Sequence, residues 1–268
     1  MPHPIGPRRQ PELARRVLAD WIAEPAGKTS LLFTAAATLA IALVVAEVQP
    51  VLRMDRAVAA HLHAVALERP GFTYACRIVT DWMVDPWTMR MLLAAAVVWL
   101  WHRRQRLIAV WAACTSAAEW AVRGALRWSI GRERPQWERP VDSADFAAMP
   151  SGHAMTAAAT CVLLLWLARW AALPAGLMRI GLTVAVLTVA AACFTRVFLG
   201  VHWLSDTLAG ALLGTGLAMA SIAVWCTTNP SRNASLRVGA ASITGPGRPL
   251  PQRRRTGYRE STSDTDGP

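Results

Sequence analysis

Thr195-Arg196-Val197-Phe198-Leu199-Gly200-Val201-His202-Trp203-Leu204-Ser205-Asp206 is the stretch that decides how the chain folds. It sets an arginine and a histidine between two apolar runs, about Leu177 to Phe194 and about Trp203 to Trp225, and a carboxylate just inside the second. Each run is close to the roughly 20 residues needed to cross the hydrocarbon of a bilayer. Ionisable side chains at the margin of such a span are costly and mark functional sites by default. His202 and Asp206 are four apart, which on a helix would place them on one face. Arg196 stands just before the short break at Gly200.

Composition agrees with a membrane reading. Apolar residues make up 54% of the 268-residue chain, and mean hydropathy is +0.29. That balance fits a bundle of membrane helices with polar ends better than a soluble domain. The net charge of +11 comes without a basic helix or an aromatic-interleaved basic strand, so no nucleic-acid partner is expected. Arginines in cytoplasmic loops, in a tail and at an anion site explain the charge. The five cysteines (Cys76, Cys114, Cys161, Cys193, Cys226) are scattered singly through apolar stretches and suit packing. The polar first residues do not read as a cleavable signal.

Working outward, the pattern predicts an all-α protein with six transmembrane helices. Residues 1–28 form a basic N-terminal segment, either a short interfacial helix or a disordered arm. Residues 29–226 form the membrane domain, and residues 227–268, rich in Pro, Gly, Ser and Arg, a disordered basic tail. The spans are expected at about Ser30 to Val48, Pro86 to Trp101, Leu107 to Leu126, Gly152 to Trp170, Leu177 to Phe194 and Trp203 to Trp225. Residues 53–69 are amphipathic and too charged to cross, so they should lie along the membrane surface. With six spans the two basic termini share a side, together with the short loops 102–106 and 169–179, which also carry arginine. The positive-inside rule then places the termini in the cytoplasm of a plasma-membrane protein. The loop 127–150, the start of the fourth span and the turn 196–202 all face outward.

Three polar clusters thus meet on one face. The first runs from Arg127 to Arg134-Pro135, two arginines seven apart at a helix end and in the following loop. Guanidinium suits phosphate, because its planar fork makes paired charge-assisted bonds and keeps its proton. Contact with lipid headgroups would explain either arginine alone. The second cluster is Pro150-Ser151-Gly152-His153 at a helix start. Ser151 there would ordinarily cap the backbone, whereas a functional reading has the unhindered N–H of Gly152 cradling an anion beside His153. The third is the opening stretch, in which Asp206 can fix the His202 tautomer and free its other nitrogen for attack.

Together these residues describe phosphate-ester hydrolysis. Arg127, Arg134, Arg196, Ser151 and Gly152 bind the phosphoryl oxygens. His202 attacks phosphorus, Asp206 supports its imidazolium, and His153 serves the leaving group and then water. No metal and no cofactor is required, since arginines supply the positive charge and no carboxylate cluster suits magnesium. Elsewhere, Glu119 and Arg123 are spaced for an internal pair. His61 and His63 point apart on a helix, which favours packing over metal binding.

The sequence resembles the type 2 phosphatidic acid phosphatases, the lipid-phosphatase branch related to vanadium-dependent haloperoxidases. That family carries Lys, six residues, Arg-Pro; then Pro-Ser-Gly-His; then Ser-Arg, five residues, His, three residues, Asp. Here these become Arg127 to Arg134-Pro135, Pro150 to His153, and Thr195-Arg196 to His202 and Asp206. Arg127 for lysine keeps the charge but changes donor geometry, and Thr195 for serine keeps a hydroxyl. The resemblance implies His202 as nucleophile, Asp206 as its partner and His153 as acid and base. It also implies the three arginines, Ser151 and Gly152 as the phosphate cradle. The expected function is an integral membrane lipid phosphatase working through a phosphohistidine. Undecaprenyl diphosphate is the first substrate to try, followed by phosphatidic acid or phosphatidylglycerol phosphate. A lipid phosphotransferase using the same site is the enzymatic alternative. A transporter or lipid-binding scaffold is the non-enzymatic one.

Overall fold

Prolines set where the first helices begin. The computed structural model describes residues 24–229, so the expectations for the N-terminal arm and for most of the tail lie outside the described residues. Helix α1 spans Pro25–Val45, α2 Gln49–Glu68, α3 Pro70–Ile78 and α4 Pro86–His102, and each has a proline in its first two positions. There a missing N–H costs nothing, because the first amides of a helix have no intrahelical partner. One π-helical turn, Val79–Met83, continues α3. Asp85 then caps α4, accepting from the N–H groups of Trp87 (2.7 Å) and Thr88 (3.3 Å).

Helix α5 spans Arg106–Ile130, α6 Gly152–Trp170, α7 Ala175–Phe198 and α8 Leu204–Thr228. The described residues are all helix and loop. Helix α5 runs one turn past the expected end near Leu126, so Arg127 belongs to its last turn rather than to the loop. It stops at Gly131, whose φ of 60° is left-handed and whose N–H returns to the Arg127 carbonyl.

Among the described residues, five segments are long and apolar enough to cross a membrane: Pro25–Val45, Pro70–His102, Gly152–Trp170, Ala175–Phe198 and Leu204–Thr228. Their outward faces are apolar, as with Ile180, Leu182, Val184, Val186 and Leu187 on α7. The expected third span, now α5, is not among the five. It carries Glu119, Arg123 and Arg127, and a mean hydropathy cannot register that such charges point inward. Glu119 is buried and is met by Arg90 at 3.3 Å, by Arg123 at 3.9 Å and by the Thr156 hydroxyl at 3.1 Å. The expected internal Glu119–Arg123 pair is present, with Arg90 and Thr156 added.

Small residues on α8 let its neighbours approach closely. A Cβ at Gly210 would lie 2.6 Å from the Ser151 carbonyl oxygen, and one at Gly214 only 2.1 Å from that of Met155. On another face, a Cβ at Gly216 would meet the Thr34 hydroxyl at 2.6 Å, and Ser30 Oγ donates to the Gly216 carbonyl at 2.9 Å. This is the small-residue packing that membrane helices use when no hydrophobic gain separates lipid from neighbour. It seats the start of α6 against the start of α8, where Ser151 N–H donates to the Asp206 carbonyl at 3.1 Å. Trp111, Trp166 and Trp225 cluster near the other end of the bundle, with centroids 4.9 to 6.2 Å apart.

Candidate active site

The end of α5, the start of α6, the end of α7 and the start of α8 share one end of the bundle. All eight residues singled out in the sequence lie there. Arg127 Nε donates to the Pro150 carbonyl at 3.1 Å, tying the end of α5 to the start of α6. A Cβ at Gly152 would lie 2.4 Å from an Arg123 nitrogen and 3.1 Å from an Arg127 nitrogen, so two guanidinium groups close over the bare backbone. Ser151 is the N-cap of α6, but its side chain makes no cap hydrogen bond. Its buried hydroxyl has no partner within the described residues, which is not what a capping serine does.

His202 is not on α8. It lies in the turn before the N-cap Trp203 and is 1% exposed. The four-residue spacing still serves, because the first turn of α8 brings Asp206 back toward it: His202 Nδ1 lies 3.5 Å from Asp206 Oδ2. That is ion-pair range, yet the geometry is not that of a hydrogen bond, and Nδ1 has no hydrogen-bond partner. The other ring nitrogen, Nε2, lies 3.2 Å from Arg134 Nη1.

Arg134 is held by backbone carbonyls, those of Phe146 (2.8 Å), Asp145 (3.0 Å) and Val201. Burial, and then the charge of Arg196, pull its guanidinium down to about 10 from the usual arginine range. His202 is held well below the ordinary imidazole value by burial first, then by Arg134, Arg196 and Arg127. Both shifts report the same thing, an enclosed place with surplus positive charge. Arg196 is 5% exposed, with Nη1 3.5 Å from Asp142 and from the Thr80 hydroxyl, while its buried Nε has no partner. Buried donors are ordinarily satisfied. An anion among Ser151 Oγ, Arg196 Nε and the Gly152 amide would supply the missing acceptors.

Several partners are absent from the sequence reading. His153 Nε2 lies 3.9 Å from Asp85 Oδ1, on the carboxylate that caps α4. Arg132 reaches Asp206 Oδ1, Asp55 Oδ2 (2.7 Å) and Ser205 Oγ (2.7 Å) at once. His63 stacks on Trp137 at 4.1 Å, and Trp137 donates to the Gly200 carbonyl at 2.8 Å, bracing the turn that carries His202. His63 therefore packs, as expected, while His61 on the same helix is exposed. A proline at the start of α2 and its charge pattern signal a surface helix, but not which of its residues turn inward. Two surface cavities, of about 620 and 370 Å³, lie elsewhere, between the α4–α5 and α6–α7 turns and along α4 and α5.

Residues 108–230 match the family model of the PAP2 superfamily. All three clusters fall inside that segment. No curated protein matches the chain. Among solved structures, the first transmembrane PAP2 type phosphatidylglycerolphosphate phosphatase from Bacillus subtilis has the same fold. Its TM-score is 0.65 at 17% identity, over 77% of this chain and 97% of that one. The resemblance to type 2 phosphatidic acid phosphatases read from the sequence is borne out by both.

Proposed function

We propose that the protein is an integral membrane phosphatase that hydrolyses a lipid phosphate or diphosphate through a phosphohistidine on His202. The observation that carries this reading is the convergence of Arg127, Arg134 and Arg196 on the buried His202 and the half-buried His153, beside a serine hydroxyl and a guanidinium nitrogen left without partners among the described residues. The PAP2 superfamily match and the shared fold support the same class.

The terminal phosphoryl group sits among Arg127, Arg134, Arg196, the Ser151 hydroxyl and the Gly152 N–H, which offset charge on its equatorial oxygens. His202 Nε2 attacks phosphorus as the bond to the leaving oxygen breaks. Asp206, facing Nδ1, stabilises the positive charge that develops on the ring. His153 gives its proton to the leaving oxygen, with Asp85 beside it. In the second half His153 takes a proton from water as that water attacks phosphorus, and the nitrogen–phosphorus bond breaks to return neutral His202 and inorganic phosphate. Arginines supply the positive charge throughout, so the reaction proceeds without a metal.

Helix α5 is the sixth span, its charges turned inward onto Arg90 and Thr156. The site faces outward from the cytoplasmic membrane, because Arg103, Arg104, Arg106, Arg169 and Arg179 gather at the opposite end. A lipid substrate then enters from the bilayer. Undecaprenyl diphosphate is the first candidate. Phosphatidic acid and phosphatidylglycerol phosphate follow, the last matching the named activity of the structural neighbour.

The deciding experiment supplies these lipids to purified protein in detergent, with and without chelator. Phosphate release that survives chelator and disappears in His202→Ala is the expected result. Release unchanged in His202→Ala overturns the mechanism, and transfer to an acceptor without phosphate release replaces hydrolysis with phosphotransfer. A reporter fused after Trp225 should be cytoplasmic, and an external reporter inverts the orientation.

A further inference from the structure

We infer that Arg132, anchored by Asp55 of the surface helix α2, is a positioning residue that aims the Asp206 carboxylate at His202. The inference rests on the phosphohistidine reading of the same site, and it concerns two residues outside the phosphate cradle.

Asp206 is fully buried, and both of its oxygens are committed. Oδ1 is ion-paired with Arg132 Nη1. Oδ2 accepts from the Trp203 N–H at 2.9 Å and is the oxygen that faces His202 Nδ1 at 3.5 Å. A carboxylate held by one oxygen alone can swing about its terminal torsion, which is broad and twofold. Held by both, it presents one oxygen to the imidazole in one orientation. The guanidinium is therefore half of what keeps Oδ2 facing Nδ1, where its charge favours the tautomer protonated there.

Arg132 is itself over-determined. Its Nη2 meets Asp55 Oδ2 at 2.7 Å, its Nη1 donates to Ser205 Oγ at 2.7 Å, and its guanidinium carbon lies 5.7 Å from the Trp203 ring centroid. Asp55 is 1% exposed and also accepts from Ser205 N–H at 2.9 Å and from Ser205 Oγ at 2.5 Å. A planar fork with two terminal nitrogens reaches two different carboxylates at once, whereas an ammonium is a single point of charge. One cation between two buried acids, both of which also bind the first turn of α8, locks that turn in place. Helix α2 thus does more than lie on the membrane. It holds the catalytic pair from 150 residues away in sequence.

The test uses full-length protein in detergent, with Arg132→Gln, Arg132→Lys and Asp55→Asn. For a lipid phosphate that the wild type hydrolyses, Arg132→Gln should lower kcat about 100-fold, with KM and inhibition by inorganic phosphate within about twofold. Arg132→Lys should recover about tenfold of that loss, and Asp55→Asn should cost about tenfold. Arg132→Lys keeps a buried cation and decides the matter if Arg132→Gln does not fold. A second readout needs no turnover: the nitrogen NMR signals of His202, identified by their loss in His202→Ala, should show one neutral tautomer in the wild type and a mixture in Arg132→Gln or Arg132→Lys. Unchanged kcat in the variants, or a rise in KM and in the phosphate inhibition constant with kcat intact, overturns the inference. So do identical His202 signals in wild type and variants. A wild type that releases no phosphate from any lipid defeats the phosphatase reading, while the nitrogen signals still decide the positioning role.

Discussion

Gly152→Ala tests the phosphate cradle with the smallest possible change. The new Cβ would stand 2.4 Å from an Arg123 nitrogen and 3.1 Å from an Arg127 nitrogen, where ordinary contact begins near 3.4 Å. The Arg123 guanidinium must therefore retreat by about 1 Å, and that of Arg127 by a few tenths of an ångström. Arg123 has little room to do so, since it is mostly buried and paired with Glu119. Arg127 is tethered to the Pro150 carbonyl, so its shift carries into the cradle. A misplacement of about 1 Å in a positioning group can cost on the order of 100-fold, so kcat/KM should fall between about 10-fold and 100-fold. Stability should hardly change, because alanine is the better helix former at this first position of α6 and offsets part of the clash. Phosphate release at subsaturating lipid, beside a thermal melt in the same detergent, separates the two effects. The double change Gly152→Ala with Arg123→Ala removes the nearer obstacle and should recover part of the lost rate. Wild-type kcat/KM in Gly152→Ala would refute the reasoning.

Other parts of the structure lead to equally concrete expectations. Gly214→Val forces atoms against the Met155 carbonyl, where even a Cβ would stand at 2.1 Å. It should destabilise the fold by about 1–3 kcal/mol, read by denaturant unfolding in detergent, and an unchanged midpoint would contradict the close α6–α8 contact. Asp85→Asn removes the charge 3.9 Å from His153. It should lower kcat about tenfold with KM nearly unchanged, so an effect on KM alone would reassign Asp85 to binding. The depressed His202 value means the imidazole stays neutral below the usual range near pH 6.5. The acidic limb of kcat/KM attributable to His202 should therefore lie below the usual imidazole range near pH 6.5. The same depression means the unfolded chain binds the extra proton first, so this residue's contribution to stability falls as pH drops below about 6.5. An acidic limb at or above pH 6.5 that tracks His202 would refute the burial argument.

Much of the site was legible because its chemistry depends on residue types at short spacings. Arg196, Gly200, His202 and Asp206 sit within eleven residues, and the left-handed Gly200 with the first turn of α8 closes them on one another. Ser151-Gly152-His153 opens a helix as its composition predicts. Capping preference alone would have assigned the Ser151 hydroxyl to the backbone, and only packing shows that it is left over.

From the sequence alone come the helical class, the positions of five apolar spans and the three clusters that meet at one end. Local hydropathy and short-range spacing are sufficient for these. Only the tertiary structure pairs Arg132 with Asp55 and Asp206, His153 with Asp85, Arg196 with Asp142, and His63 with Trp137. A sequence states that a charge is present but not which charge of opposite sign, tens of residues away, will share its low-dielectric surroundings. The same limit applies at α5: the spacing of Glu119 and Arg123 announces their pair, but only the fold brings Arg90 of α4 to it. Burial makes each unpaired charge so costly that partners must be found. Where they are found is set by how the helices pack, as in the close backbone approaches at Gly210 and Gly214 of α8, which the spacing of side chains does not encode.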